Sequence, residues 1–192
     1  QQAATLAPQQ ARYHRQVGAA LYDLGRYEAA AEALREATAL DDADAHAWHL
    51  LAKTCAQLGL CADGLAACEK ALSLAPDEAA YHRDAGLLAY RLGAHDQALH
   101  SLKKALALTS DSQAMADAQV HYTLGAIYEA QQRWEEALTA YRQATLQAPD
   151  QALYQRAYGT ALLRLGRATE AADALTQAVM LDPADAEAHM QL

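Results

Sequence analysis

The sequence predicts an all-α solenoid of antiparallel helix pairs. Three observations carry that prediction. All nine glycines and all four prolines fall on one 34-residue frame that restarts at Ala11, Ala45, Ala79, Ala118 and Ala152. Gly18, Gly86, Gly125 and Gly159 hold frame position 8, and Gly25, Gly59, Gly93 and Gly166 hold position 15. Gly64 holds position 20, and Pro8, Pro76, Pro149 and Pro183 hold position 32. Second, the 192 residues include 50 alanines, one isoleucine (Ile127), no asparagine and no phenylalanine, an alphabet that favours helix over strand. Third, the apolar residues inside each copy recur with helical period.

The second copy, 45–78, shows the unit most plainly. Trp48, Leu51, Ala52 and Cys55 recur at i, i+3, i+4 and i+7, the stripe of an amphipathic helix, called helix A. Leu58-Gly59 ends it, because glycine accepts the left-handed conformation of a helix C-cap. Helix B runs from about Ala62 to Leu74 with Gly64, Leu65, Cys68, Ala71 and Leu72 inward, and Pro76 cannot continue it. Small residues recur where two helices must approach: position 8 reads Gly, Ala, Gly, Gly, Gly; position 20 reads Ala30, Gly64, Ala98, Ala137, Ala171; position 27 is always alanine. An interior glycine costs a helix about 1 kcal/mol relative to alanine, so four at one position imply close packing of A on B.

The frame divides the chain into repeats 11–44, 45–78, 79–112, 118–151 and 152–185, with an insertion at 113–117. The insertion reads as a backward extension of the fourth helix A, with Asp111 and Ser112 as N-cap candidates, or alternatively as a loop bulging from one edge. Residues 1–10 read as the tail of a truncated preceding repeat that stops at Pro8, and 186–192 as the start of a following helix, all within one continuous solenoid. Ends without polar caps predict end-to-end self-association. Gln132 stands where position 15 should be glycine, so that turn is expected to be strained or to end differently.

The pattern resembles the tetratricopeptide repeat family. The resemblance rests on Leu124-Gly125, Tyr128, Trp134-Glu135, Ala137, Tyr141, Ala144 and Pro149 in the fourth repeat, and on Gly159, Leu165-Gly166, Ala171, Leu175, Ala178, Leu181 and Pro183 in the fifth. It covers essentially the whole chain. It implies a right-handed superhelix whose concave face is lined by helix A and binds peptides. Histidine replaces the family's frequent tryptophan at position 4 (His14, His82, His121), and Asp42 and Ser110 replace its proline at position 32.

Composition excludes several functions. No apolar run approaches the roughly 20 residues of a membrane span. A net charge of -9 disfavours nucleic-acid binding over the whole surface. Cys55, Cys61 and Cys68 occupy positions 11, 17 and 24, which other repeats fill with core residues, so they read as buried thiols in a reducing, cytoplasmic setting. The spacing lacks a zinc-knuckle signature. His46 and His49 lie one turn apart but read as a solvated pair, and His14, His82 and His121 as inter-repeat packing groups. No cofactor, metal or catalytic constellation is indicated, because the frame accounts for every glycine structurally. Alanine and arginine richness fits a GC-rich bacterial genome.

Function is therefore expected at positions 2, 5, 6, 9, 12 and 13 of helix A, the inner positions implied by the resemblance. These hold seven basic and three acidic residues. The candidate peptide groove comprises Arg12, Arg15 and Tyr22; His49 and Lys53; Arg83, Leu87, Tyr90 and Arg91; Tyr122 and Glu129; and Arg156 and Arg164. Arg15, Arg83 and Arg156 share position 5 and suggest bidentate contacts to carboxylates, while the tyrosines supply contact area at small entropic cost. The expected role is a non-enzymatic interaction scaffold for an acidic peptide or helix. The alternatives are the docking arm of a larger enzyme, such as a bacterial glycosyltransferase, or a self-assembling scaffold. Absence of asparagine removes the lysine/asparagine clamp and the asparagine ladder that two branches of the family use.

Overall fold

The computed structural model describes residues 2–109 and 114–192, with side chains from 9 and from 118 onward in the two stretches. Asp111, Ser112 and Gln113 lie outside the described residues. The chain falls into two compact units, Gln1–Leu108 and Thr109–Leu192. The first holds α1 (Gln2–Asp23), α2 (Tyr27–Leu40), α3 (Ala45–Gln57), α4 (Cys61–Leu74), α5 (Ala79–Arg91) and α6 (His95–Leu108). The second holds α7 (Ala114–Ala130), α8 (Trp134–Gln147), α9 (Ala152–Arg164), α10 (Ala168–Leu181) and α11 (Ala186–Gln191). The described residues form an all-α array of helix pairs. Helix A ends at frame position 13 in α1, α3, α5, α7 and α9, and helix B spans positions 17 to 30 in α2, α4, α6, α8 and α10. Each A helix packs on the B helix that follows it, and within the first unit α2 and α4 also pack on the next A helix, as α8 does within the second.

The pair interface is a lock between positions 8 and 24. A Cβ on Gly18 or Gly86 would sit 2.6 Å from Cγ of Leu34 or Leu102. On Gly125 it would sit 2.5 Å from the Tyr141 ring, and on Gly159 2.8 Å from Leu175 Cγ. The space above each helix-A glycine is thus filled by the large, fully buried side chain at position 24 of helix B. The second repeat solves the same volume differently. Ala52 replaces the glycine and Cys68 replaces the leucine, and both are fully buried in one cluster with Leu34, Leu51, Cys55 and Leu88. Cys68 is therefore a small apolar filler, and its burial pushes the thiol up to about 12. Cys55 is buried as expected, but Cys61 is only partly buried. It opens α4, where the first helical turn reaches the surface.

The A–B turn is a Schellman motif. In the second repeat the Leu60 N–H donates to Cys55 O (2.9 Å) and the Gly59 N–H to Ala56 O (3.3 Å), with Gly59 at φ +74. Gln132 keeps the same turn: it donates to Glu129 O (2.9 Å), Arg133 donates to Tyr128 O (2.9 Å), and Gln132 itself adopts φ +60. The fourth repeat therefore accepts left-handed backbone strain rather than a different ending.

Position 4 forms a second recurrent bond. Trp48 Nε1 donates to Asp42 O (3.0 Å), His82 Nε2 to Pro76 O (2.7 Å), Gln155 Nε2 to Pro149 O (3.3 Å) and His189 Nε2 to Pro183 O (3.1 Å). Three residue types at four positions share one requirement, an N–H that reaches the position-32 carbonyl of the preceding repeat. His82 is accordingly buried. His14 and His121 are half-buried, and His14 meets the Tyr13 ring edge-on at 5.7 Å.

α7 begins at Ala114, so the 113–117 stretch contributes helical residues ahead of Ala118. The sequence expects a stop at Pro8, yet α1 runs unbroken from Gln2 to Asp23. Proline there removes one N–H donor without ending the helix.

Two outcomes follow from the lock and the turn. Cys68→Leu alone should overpack against Ala52 and lower unfolding free energy by about 1–3 kcal/mol in urea melts. Adding Ala52→Gly should recover most of that loss, whereas additive losses would show that the two positions do not share one volume. Gln132→Gly should raise stability by about 1 kcal/mol, measured the same way, because it relieves the left-handed strain.

Candidate functional site

In the first unit, α1, α3 and α5 pack side by side and present positions 2, 5, 6, 9, 12 and 13. Three of the sequence-predicted residues there, Arg15, His49 and Arg83, are tied to carboxylates within the protein. Arg15 Nη1 reaches Asp44 Oδ2 at 2.7 Å and Oδ1 at 3.0 Å. Asp44 is the N-cap of α3, and its Oδ1 also accepts from the Ala47 N–H (3.1 Å). One carboxylate thus caps the next helix A and holds the arginine of the previous one. Arg83 Nε donates to Asp84 Oδ1 (2.9 Å), and His49 Nε2 donates to Asp84 Oδ2 (2.7 Å) across from α3 to α5. His49 is buried against the Tyr81 ring, 4.3 Å between centroids, so it is part of the α3–α5 joint rather than one of a solvated pair with His46.

Asp84 is the most constrained acid of this face. Burial pushes its carboxyl up, but the His49 hydrogen bond and the charge and hydrogen bond of Arg83 outweigh burial and leave it below the usual carboxylate range. His46 is pushed down, mainly by burial and then by the nearby charge of Arg15. Among the described residues no group of three or more His, Cys, Asp or Glu side chains is placed to hold a metal ion.

The remaining predicted residues of the first unit are more open. Lys53 Nζ lies 5.0 Å above the Tyr22 ring, a cation–π contact between α3 and α1. Arg12 and Arg91 are exposed, and Arg91 Nη1 makes only a long contact, 3.4 Å, to Ala56 O. Tyr90 is half-buried edge-on to His95 at 5.9 Å, and Leu87 is half-buried beside it. Among the described residues, Arg12, Lys53 and Arg91 have no carboxylate partner.

The second unit presents the corresponding face of α7, α9 and α11. Arg156 repeats the arrangement of Arg15: its Nε lies 2.8 Å from Oδ2 of Asp185, the N-cap of α11, and its Nη1 bonds Glu187. Asp185 is held below the usual carboxylate range, chiefly by the Ala188 N–H that it caps. Tyr122 stacks on Tyr154 at 5.1 Å, Tyr141 donates its hydroxyl hydrogen to Glu129 Oε2 (2.6 Å), and Arg164 lies 5.6 Å from the Trp134 ring centre.

The structure thus redistributes the predicted site. The position-5 arginines, expected to offer bidentate contacts to a ligand, already have carboxylate partners: Arg15 and Arg156 on the next helix's N-cap, Arg83 on its own neighbour. Asp44 and Asp185 were missed because they precede helix A and fall outside the inner positions. Their signal was an aspartate at position 34, the N-cap position, 29 residues after a position-5 arginine.

These features define a helix-pair repeat scaffold. A family model described as "Tetratricopeptide repeat" matches residues 49–114 and 122–189, and one described as "TPR repeat" matches 18–59. The chain belongs to the tetratricopeptide repeat family, and it is a protein-interaction scaffold in that family's non-catalytic manner. No curated protein sequence gives a significant match. Solved structures show the same fold at low identity. MamA 41-end from Desulfovibrio magneticus RS-1 is 21% identical, with 92% of this chain and 97% of that chain covered and a TM-score of 0.79. A crystal structure of MamA protein is 20% identical over 93% and 94% of the two chains, with a TM-score of 0.78. YrrB, described as a TPR protein with an unusual peptide-binding site, is 19% identical over 92% and 89%, with a TM-score of 0.78. Among the described residues no helix is long and apolar enough to cross a membrane.

The His49–Asp84–Arg83 joint sets a pH dependence. Asp84's folded pKa lies below its unfolded value, so its contribution is fully present above the ordinary carboxylate pKa of about 4 and is lost as pH falls through the folded value. Asp84→Asn should therefore lower stability by about 1–3 kcal/mol at neutral pH. It should also flatten the fall in melting temperature below about pH 4. An unchanged acid limb in that variant would remove Asp84 from the account.

Proposed function

We propose that the α1–α3–α5 face of the first unit binds an extended acidic peptide of a partner protein. The observation that carries this reading is the set of three cations, Arg12, Lys53 and Arg91, that have no carboxylate partner among the described residues while Arg15 and Arg83 do. The peptide's carboxylates pair with those three cations, and its apolar groups lie on Tyr22, Leu87 and Tyr90. Arg15 and Arg83 act from beneath, by fixing Asp44 and Asp84 and hence the spacing of the three helices. On the corresponding face of the second unit Arg156 is held by Asp185 and Glu187, and of the predicted cations there only Arg164, against the Trp134 ring, has no carboxylate partner among the described residues, so the acid preference belongs to the first unit, which has three. The peptide-binding description of YrrB, whose fold this chain shares, is consistent with a peptide as the ligand class.

A positive surface that meets a negative peptide adds to rate and specificity and weakens with salt. Fluorescence anisotropy with a fluorescein-labelled hexaglutamate peptide should show saturable binding that weakens as salt rises. Lys53→Glu with Arg91→Glu should weaken it about tenfold, while Arg164→Glu in the second unit should leave it within about twofold. Equal affinity of the double variant and the parent, or equal binding of an uncharged Gly-Ser peptide, would refute the reading.

A further inference from the structure

The outer side of the second unit holds a recess that the inner-face reading does not use. It has a volume of about 340 Å³ and is lined by Leu138, Thr139, Arg142 and Gln143 of α8, Tyr158 of α9, and Arg167 and Glu170 at the start of α10. Leu138 is buried and forms an apolar base. Around it stand the donors Arg142, Gln143 and Tyr158.

The bonding of its neighbours explains why those donors stay available. Arg167 Nε donates to Glu170 Oε1 (2.8 Å) and Nη2 to Oε2, so both oxygens of the one carboxylate in the recess are already engaged within its own helical turn. Thr139 gives its hydroxyl hydrogen to Glu135 O (2.8 Å). No side-chain partner among the described residues is recorded for Arg142, Gln143 or the Tyr158 hydroxyl.

The equivalent groove of the first unit shows what closure looks like. Between α4 and α6, position 25 is Glu69 and position 19 of the next repeat is Gln97, and Gln97 Nε2 donates to Glu69 Oε1 at 2.7 Å. Position 7 of that next repeat is Ala85. Between α8 and α10 the same positions are Arg142, Glu170 and Tyr158. The bridge is missing because Arg167 takes the carboxylate, and position 7 carries a phenol hydroxyl instead of a methyl.

We propose that this recess is an oxyanion site, in which the Arg142 guanidinium, the Tyr158 hydroxyl and the Gln143 amide donate to a carboxylate or phosphate group. Two donors on one planar guanidinium suit either oxyanion, and the hydroxyl and amide complete the shell. A second recess of about 430 Å³ adjoins it, shares Tyr158 and Glu170, and is lined further along by Asp173, Thr176 and Gln177. Asp173 repels a second negative group, so the ligand carries its charge at one end, toward Arg142, and a neutral polar body at the other. The site lies on position 7 of α9, a different side from the inner positions 5 and 9, so it stands or falls apart from the peptide-groove reading.

The test is a titration of the full chain followed by NMR at the Arg142 Nε–H and the Tyr158 ring. The probes are inorganic phosphate and N-acetylglycine, with N-acetylglycinamide as the neutral analogue. The expected result is saturable shifts at both residues with at least one anion and none with the amide. Saturation by phosphate alone identifies a phosphate ligand, and saturation by N-acetylglycine identifies a carboxylate of a peptide or metabolite. Arg142→Gln should weaken binding about tenfold and Tyr158→Phe about threefold. Arg142 is exposed, so its variant should keep the parent circular dichroism and decides the matter if Tyr158→Phe loses its fold. Linear, equal shifts at Arg142 and at the exposed Arg12 of the first unit would overturn the proposal, as would saturation that survives Arg142→Gln.

Discussion

Everything else in this protein depends on how closely helix A approaches helix B. That distance is set at one point per repeat, where a residue with little or no side chain meets a large one. Gly18 under Leu34, Gly86 under Leu102, Gly125 under Tyr141 and Gly159 under Leu175 are four copies of the same contact. The cost of a glycine inside a helix is offset by the burial of the whole side chain above it. Ala52 with Cys68 shows that the constraint is on summed volume rather than residue type. An alanine-rich chain has few large side chains to bury, so short interhelical distances are how it obtains a dense core.

With that distance set, smaller interactions fix the order of the pairs within each unit. The position-4 donor reaches the position-32 carbonyl whether it is indole, imidazole or amide. The Arg15–Asp44 and Arg156–Asp185 pairs join one helix A to the N-cap of the next. Such a carboxylate serves twice, as helix cap and as counter-ion. This is why a residue that looks like a ligand-binding arginine in the sequence is a spacer in the structure. Only Arg12, Lys53 and Arg91 of the predicted cations of the first unit stay outside that spacing among the described residues.

Much of the fold was legible because its determinants are local. A left-handed turn selects glycine, a helix stop selects proline, and a close approach selects small residues, so the frame could be read without coordinates. Even the exception was legible: Gln132 was expected to strain its turn, and it does adopt positive φ. The candidate site was less legible. His49 reads as half of an exposed pair with His46, yet it is buried against Tyr81 and bound to Asp84, because its burial depends on α5, 35 residues away. Cys61 reads as a core thiol and lies partly open at the start of α4.

The sequence by itself determined the repeat, the end of each helix A at position 13 and the span of each helix B, and the small residues at which the two helices meet. Those properties follow from backbone preferences and periodicity, which act over a few residues. Only the tertiary structure decided which charges remain available. Pairing joins residues 29 to 35 positions apart through the packing of helices that are not neighbours in the chain, and apart from the aspartate at position 34 nothing in the repeat pattern says whether a given arginine meets an acid or solvent. The same holds for the recess around Arg142. Its openness depends on Arg167 having taken Glu170, a competition between neighbours that exists only once α8, α9 and α10 stand together.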